Sequence, residues 1–169
     1  MAWPASARVV QSTAQLLSHF DTALNHTIMP NFIPFIDNRP TGGSGCNIEN
    51  AGATVAVNDL LASVHGHGSN AALRLFAGGW PAGQQVSFQN IRVRGAFTVS
   101  AAATGHANDK VTLSGDVKIT SLAGNQLTLQ WPVANAKPTV KTPSGVHMVA
   151  VAENTWRFNT SIGQTYTLS

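Results

Sequence analysis

The chain has 169 residues, a net charge of +3, 43% apolar residues and only 10% charged ones. That length suits one domain, or one domain with a fragment of another. The apolar content excludes a disordered tail, and the ten scattered Lys and Arg residues form no basic run of the kind that engages nucleic acid or an anionic membrane.

Residues 5–28 read as a helix. Leu16, Phe20 and Leu24 recur at spacings of four beside Val9, Thr13 and Leu17, which makes one apolar stripe. Met29-Pro30 ends it. Residues 31–47 hold Pro34, Pro40 and the run Thr41-Gly42-Gly43-Ser44-Gly45, a long loop of the kind that often carries function. A second helix is expected from about Asn50 to Val64, because Val57, Leu60, Leu61 and Val64 follow the i, i+3, i+4, i+7 pattern. Asn50 can cap it by accepting a free backbone N–H of the first turn. His65 to Asn70 reads as a linker.

From residue 71 the period changes to two. Short strands are expected at 73–76, 88–94, 96–102, 110–114, 116–120, 126–131, 147–151, 155–160 and 164–169, most of them separated by Gly, Asn or Pro turns. Strands of this number and spacing point to a sandwich or barrel. The expected architecture is therefore α+β: a helical segment over residues 1–65, then an antiparallel β-sandwich over 66–169. Two helices cannot bury both apolar faces against each other, so they should dock on the β-domain or on helices outside this chain.

The stretch MPNFIPFI, then GGSGCNIENAGATVAVNDLLASVHG, LRLFAGGWP and VSFQNIRVRGAFTVSAA, resembles the C-terminal end of glycoside hydrolase family 95, the α-L-fucosidase-like family. Its elements here are Ala62-Ser63-Val64-His65 at a helix end, Leu75-Phe76 followed by Trp80-Pro81, and Arg92-Val93-Arg94-Gly95-Ala96-Phe97. The closing run from Trp156 to Leu168 is also similar. The likeness spans roughly residue 28 to the C-terminus. It departs in an insertion at 65–72, in Ala77-Gly78-Gly79 where a proline is usual, and in Glu49 where aspartate is usual.

The resemblance implies the last helices of an (α/α)6 toroid followed by the family's C-terminal β-sandwich. It implies an inverting mechanism, in which an acid protonates the leaving oxygen and a base activates water on the opposite face. The general-acid glutamate and the water-positioning asparagines would lie upstream. Glu49 would be the activating carboxylate, with Asn47, Asn50 and His65 on the substrate side. The expected partners are a glycan or oligosaccharide and the rest of the toroid, with no cofactor or metal, and the chain by itself should be inactive.

Each assignment has a plainer alternative. Glu49 and Asn50 can simply start a helix, where the dipole favours a carboxylate by about 0.3–1 kcal/mol. His65 and His67 suit a surface loop better than a metal site. Cys46 is the single cysteine and lies in no thiol-protease signature. Ser63, Ser87 and Ser100 sit in no nucleophile elbow. Trp80, Trp131 and Trp156 could stack on a sugar, although such residues more often fill a core. Asn25-His26-Thr27 and Asn159-Thr160-Ser161 are acceptor sequons with meaning only in a eukaryotic secretory host. Residues 1–25 lack a signal-peptide pattern, so an export signal for a secreted or periplasmic parent is expected upstream. The second functional reading is a free-standing β-sandwich that binds carbohydrate or serves structurally.

Overall fold

The computed structural model describes residues 17–18, 21, 55, 57–108, 110–134 and 136–169. Of the first expected helix only 17, 18 and 21 fall within these, and all three are helical. The remainder of that helix and the long loop lie outside the described residues.

The described chain is mostly β, arranged in two sheets. Sheet I contains β1 (Ala62–His65), β2 (Ala72–Leu75), β7 (Leu127–Gln130), β9 (Val149–Ala152) and β10 (Thr155–Phe158), in the spatial order β1-β2-β7-β10-β9. Sheet II contains β3 (Gln85–Val93), β4 (Phe97–His106), β5 (Lys110–Leu113), β6 (Val117–Ser121), β8 (Val140–Thr142) and β11 (Thr165–Leu168). Its order is β3-β4-β6-β11-β8, with β5 beside the second half of β4.

Period-two burial explains the pairing. Along β4 every other residue from Phe97 to Gly105 is buried, and β6 buries Val117, Ile119 and Ser121 in the same alternation. Leu73, Leu75, Leu127, Leu129 and Phe158 of sheet I join Val99, Ile119, Tyr166 and Leu168 of sheet II in one apolar cluster. Two ring contacts bridge elements of that core: Phe158 to Tyr166 with centroids 5.3 Å apart, and Phe76 to Phe88 at 5.5 Å. Each such large side chain contributes about 1.5–3 kcal/mol by leaving water. This is a sandwich, as expected, with one departure from the antiparallel rule: β2 and β7 run parallel.

The second helix is shorter than its apolar pattern suggests. Residues 57–61 are helical, but 62–65 form a strand instead of the helix's last turn. Val64 satisfies both periods. In the fold it pairs with Leu73, while Ala62 pairs with Leu75, so period two prevails once β2 is available as a partner. β1 thus falls on the N-terminal side of the division expected at residue 65, yet it is hydrogen-bonded to β2 on the other side. The helical stripe is also not uniformly buried: Leu60 is 2% exposed, whereas Val57 is 40% exposed. β8 had no forecast, being three residues long beside the Thr142-Pro143 cis peptide.

The β3–β4 turn is tight, with Gly95 at φ 96° and Ala96 at φ 62°. A left-handed conformation costs an L-residue about 1–2 kcal/mol, and part of that is returned by the greater unfolded-state freedom of glycine. Ala96→Gly is expected to raise stability by up to about 1 kcal/mol, or a few degrees in melting temperature. A thermal melt showing a lower midpoint would contradict this account of the turn.

At the far end of β6 a buried polar knot joins the sheets' loops. Ser121 is fully buried, and its hydroxyl lies 2.7 Å from that of Thr160. Thr160 also bonds the carbonyl of Asn125. The Thr160 hydroxyl is the donor to both, its proton lying between the Ser121 oxygen and the Asn125 carbonyl. The Ser121 oxygen accepts in turn from the Gly124 N–H at 3.0 Å. Thr160→Val keeps the shape but removes the donor from the buried Ser121 oxygen and the Asn125 carbonyl. The expected loss is about 1–3 kcal/mol, read as a lower urea midpoint with unchanged slope.

Candidate functional site

Glu49, Asn47 and Asn50 lie outside the described residues. His65, the fourth candidate, is the last residue of β1, on the sheet face opposite the core, with its Nε2 3.1 Å from Ser63 Oγ.

The helix bearing the candidate loop's continuation is fastened to the sandwich at its C-terminal end. The Phe76 N–H donates to the Leu61 carbonyl at 2.9 Å, and the Ala77 N–H donates to the Leu60 carbonyl at 3.0 Å. A helix end leaves its last carbonyls without intrahelical partners, and the segment after β2 supplies them. Phe76 adopts φ 50° to do so, an unusual conformation for a bulky residue. It is held there by burial, at 3% exposure, and by the Phe88 ring. Gly78 and Gly79 then turn the chain at φ 89° and 79°. Proline could not take the place of Ala77 in this geometry, because it has no N–H to give to Leu60.

Beside this junction is a cleft of about 220 Å³. The helix contributes Asn58 and Asp59, β1 contributes Ser63 and Val64, and β3 and the turn after it contribute Arg92 and Arg94. Asp59 is 9% exposed. Arg94 donates to the Val64 carbonyl at 3.4 Å and to that of Gly66, which ties the edge of sheet II to the end of β1. Val93, between the two arginines, points into the core. Among the described residues that line the cleft there are one carboxylate, that of Asp59, and two guanidinium groups, and His65 is not one of them.

In the sequence Asp59 is marked only by the polar Asn58-Asp59 pair interrupting an apolar helical run, and Arg92 and Arg94 read there only as part of a strand motif. A second, shallower concavity of about 380 Å³ lies on the outer face of sheet II, lined in part by Ser87, Asn90, Ser100, Asp116 and Lys118. Asp116 there is paired with Lys141 at 2.6 Å, an exposed ion pair of little energetic weight.

Among the described residues the tryptophans form no open stacking platform. Trp131 is 4% exposed and belongs to the core. Trp80 and Trp156 pack against the core, with their indole nitrogens buried. Among the described residues no three His, Cys, Asp or Glu side chains come together as a metal site. No helix among them is long and apolar enough to cross a membrane.

No protein-family model matches the chain, and no curated protein matches it either.

Proposed function

We propose that the chain is the C-terminal part of an inverting glycoside hydrolase of the α-L-fucosidase-like type, in which the sandwich braces the last helix of a toroidal catalytic domain and Glu49 activates the water-positioning groups. The observation that carries this reading is the junction at Leu60 and Leu61. Their carbonyls are capped by the backbone of Phe76 and Ala77, so the helix that follows the Glu49 loop has its far end fixed to the sandwich. A rigid element with one end anchored is what a catalytic carboxylate on a loop requires for accurate placement. Val55 and Val57 of that helix are 55% and 40% exposed, an apolar surface suited to packing against further helices.

The test has two parts. The 169-residue chain alone should not hydrolyse 4-nitrophenyl α-L-fucoside. A longer product of the same reading frame, extended upstream to include a general-acid glutamate, should hydrolyse it or a related aryl glycoside. Turnover by the short chain, or the lack of any such upstream segment in the gene, would overturn the proposal.

A free-standing sandwich module is the second reading. It is favoured by a different observation: among the described residues the buried cluster draws on both sheets and runs from Ala62 to Leu168. Saturable glycan binding by a cooperatively folding 169-residue monomer would support it.

A further inference from the structure

An open sheet ends in two edge strands, and an edge with free N–H and C=O groups is a template for another strand. The outermost strands of the two sheets are β1 and β9 in sheet I, β3 and β8 in sheet II. Three of them are protected. β1 buries Ala62 and Ser63 to 3% exposure and is tied by Arg94 to the turn after β3. β3 carries Arg92 and a bulge between Phe88 and Ile91. β8 is three residues long, contains Lys141 and runs into Pro143. Charge, irregularity, shortness and proline all discourage pairing at an edge.

β9 is different. It reads Val149-Ala150-Val151-Ala152, and all four residues are exposed. Val149 is 51% exposed and Val151 42%. Among the described residues no strand lies beyond it. Val151 is the extra residue of a bulge against β10, since Ala150 pairs with Trp156 and Ala152 with Thr155. The bulge adds twist but leaves both valines open to solvent, and β-branched residues favour an extended, paired strand.

The residues of the strand indicate what pairs with it. A second copy related by a two-fold axis at Ala150 would run antiparallel. Ala150 would then face Ala150 of the second copy, Val149 its Val151, and the exposed His147 its exposed Glu153. Small residues meet at the axis, apolar pairs flank it, and an imidazole–carboxylate pair closes each end. No like charges oppose each other. A parallel, in-register pairing would instead set Glu153 against Glu153, and an axis at Val151 would set Val149 against Glu153. We propose that the chain pairs with a second copy of itself through β9, joining the two five-stranded sheets into one continuous sheet. The contact is isologous and uses the one unprotected edge of each copy, so association stops at the dimer. It is also small, below the roughly 1,200 Å² of a standard stable interface, so the dimer forms reversibly with rising concentration. This inference does not depend on the glycosidase reading.

Cross-linking reads the register directly. Directly opposed residues of antiparallel strands have α-carbons about 4.5–5.5 Å apart, within disulfide reach. In a Cys46→Ser background, Ala150→Cys should form an intermolecular disulfide at least tenfold faster than Thr112→Cys, an exposed position on β5. Sedimentation of the unmodified chain should show a reversible monomer–dimer equilibrium. Val149→Lys, with an unchanged melting temperature, should weaken that equilibrium at least tenfold. A chain that stays monomeric at every concentration overturns the proposal, as does a cross-linking rate at 150 no higher than at 112. Dimerisation that survives Val149→Lys but is lost in Val57→Lys also overturns it, because the helix surface would then be the contact.

Discussion

Gly105→Ala is expected to destabilise the protein by about 3 kcal/mol or more, at the upper end of overpacking effects. Gly105 lies near the end of β4, where the segment Trp80-Pro81 crosses the strand. A β-carbon at this position would come within 2.2 Å of the Pro81 carbonyl oxygen and 2.4 Å of that of Trp80. Neither atom is the end of a movable side chain. The crossing segment is itself pinned, because the Gly83 N–H donates to the Gly105 carbonyl at 3.0 Å and the Gly105 N–H to the Gln84 carbonyl at 2.9 Å. Relief would require breaking those bonds or shifting β4 within the core. Urea unfolding of the variant checks this. A midpoint within error of the unmodified protein would show that the Trp80–Pro81 segment yields easily and is not packed as described. Gly115 provides the control: nothing lies within 4 Å of a β-carbon there, so Gly115→Ala should leave stability nearly unchanged.

Glu49→Gln is expected to reduce kcat by about 10²–10⁴-fold, the usual contribution of a positioned base, in a longer product that includes the upstream general acid. Glutamine keeps the size and hydrogen-bonding capacity of the side chain but cannot take a proton. A helix-capping role would therefore survive the change almost intact, whereas a catalytic one would not. The two roles separate in one pair of measurements. Loss of kcat with KM and melting temperature preserved assigns Glu49 to the chemistry. A near-normal kcat removes it from the mechanism and leaves the helix-start reading. Glu49→Asp is informative in the same assay, since aspartate is the usual residue of the resembled family. Partial or full activity would indicate that the loop tolerates either carboxylate length.

Most strands from residue 72 onward were legible because they carry a period of their own, β8 being the exception. Phe97, Val99, Ala101 and Ala103 alternate with Thr98, Ser100, Ala102 and Thr104, and no helix face fits that order. Gly95 separated the expected strands 88–94 and 96–102, although Ala96 belongs to the turn and β4 begins at Phe97. Where two periods coincided, the local pattern was ambiguous. Val57, Leu60, Leu61 and Val64 describe a helix as well as Ala62 and Val64 describe one side of a strand. The ambiguity was resolved by β2, whose register with β1 offers Ala62 and Val64 a ladder and a core at once. No local window contains that partner.

The same limit applied to sites. Glu49 could be chosen from the sequence because a carboxylate between a glycine-rich loop and a helix is a local feature, and a family resemblance gave it a role. Asp59 became notable only when β3 brought Arg92 and Arg94 beside it. That Arg74 lies beside Gln130 was not visible at all, since the two meet through a parallel pairing between positions 56 apart.

By itself, then, the sequence determined that the C-terminal two-thirds would be a layered β-structure, because alternation of apolar and polar residues specifies which side of each strand must leave water. The tertiary structure decided where the second helix stops, which carbonyls cap it, that β2 and β7 run parallel, and which polar residues share a face. Those outcomes depend on contacts between strands far apart in sequence, where backbone hydrogen bonds and burial are satisfied jointly or not at all.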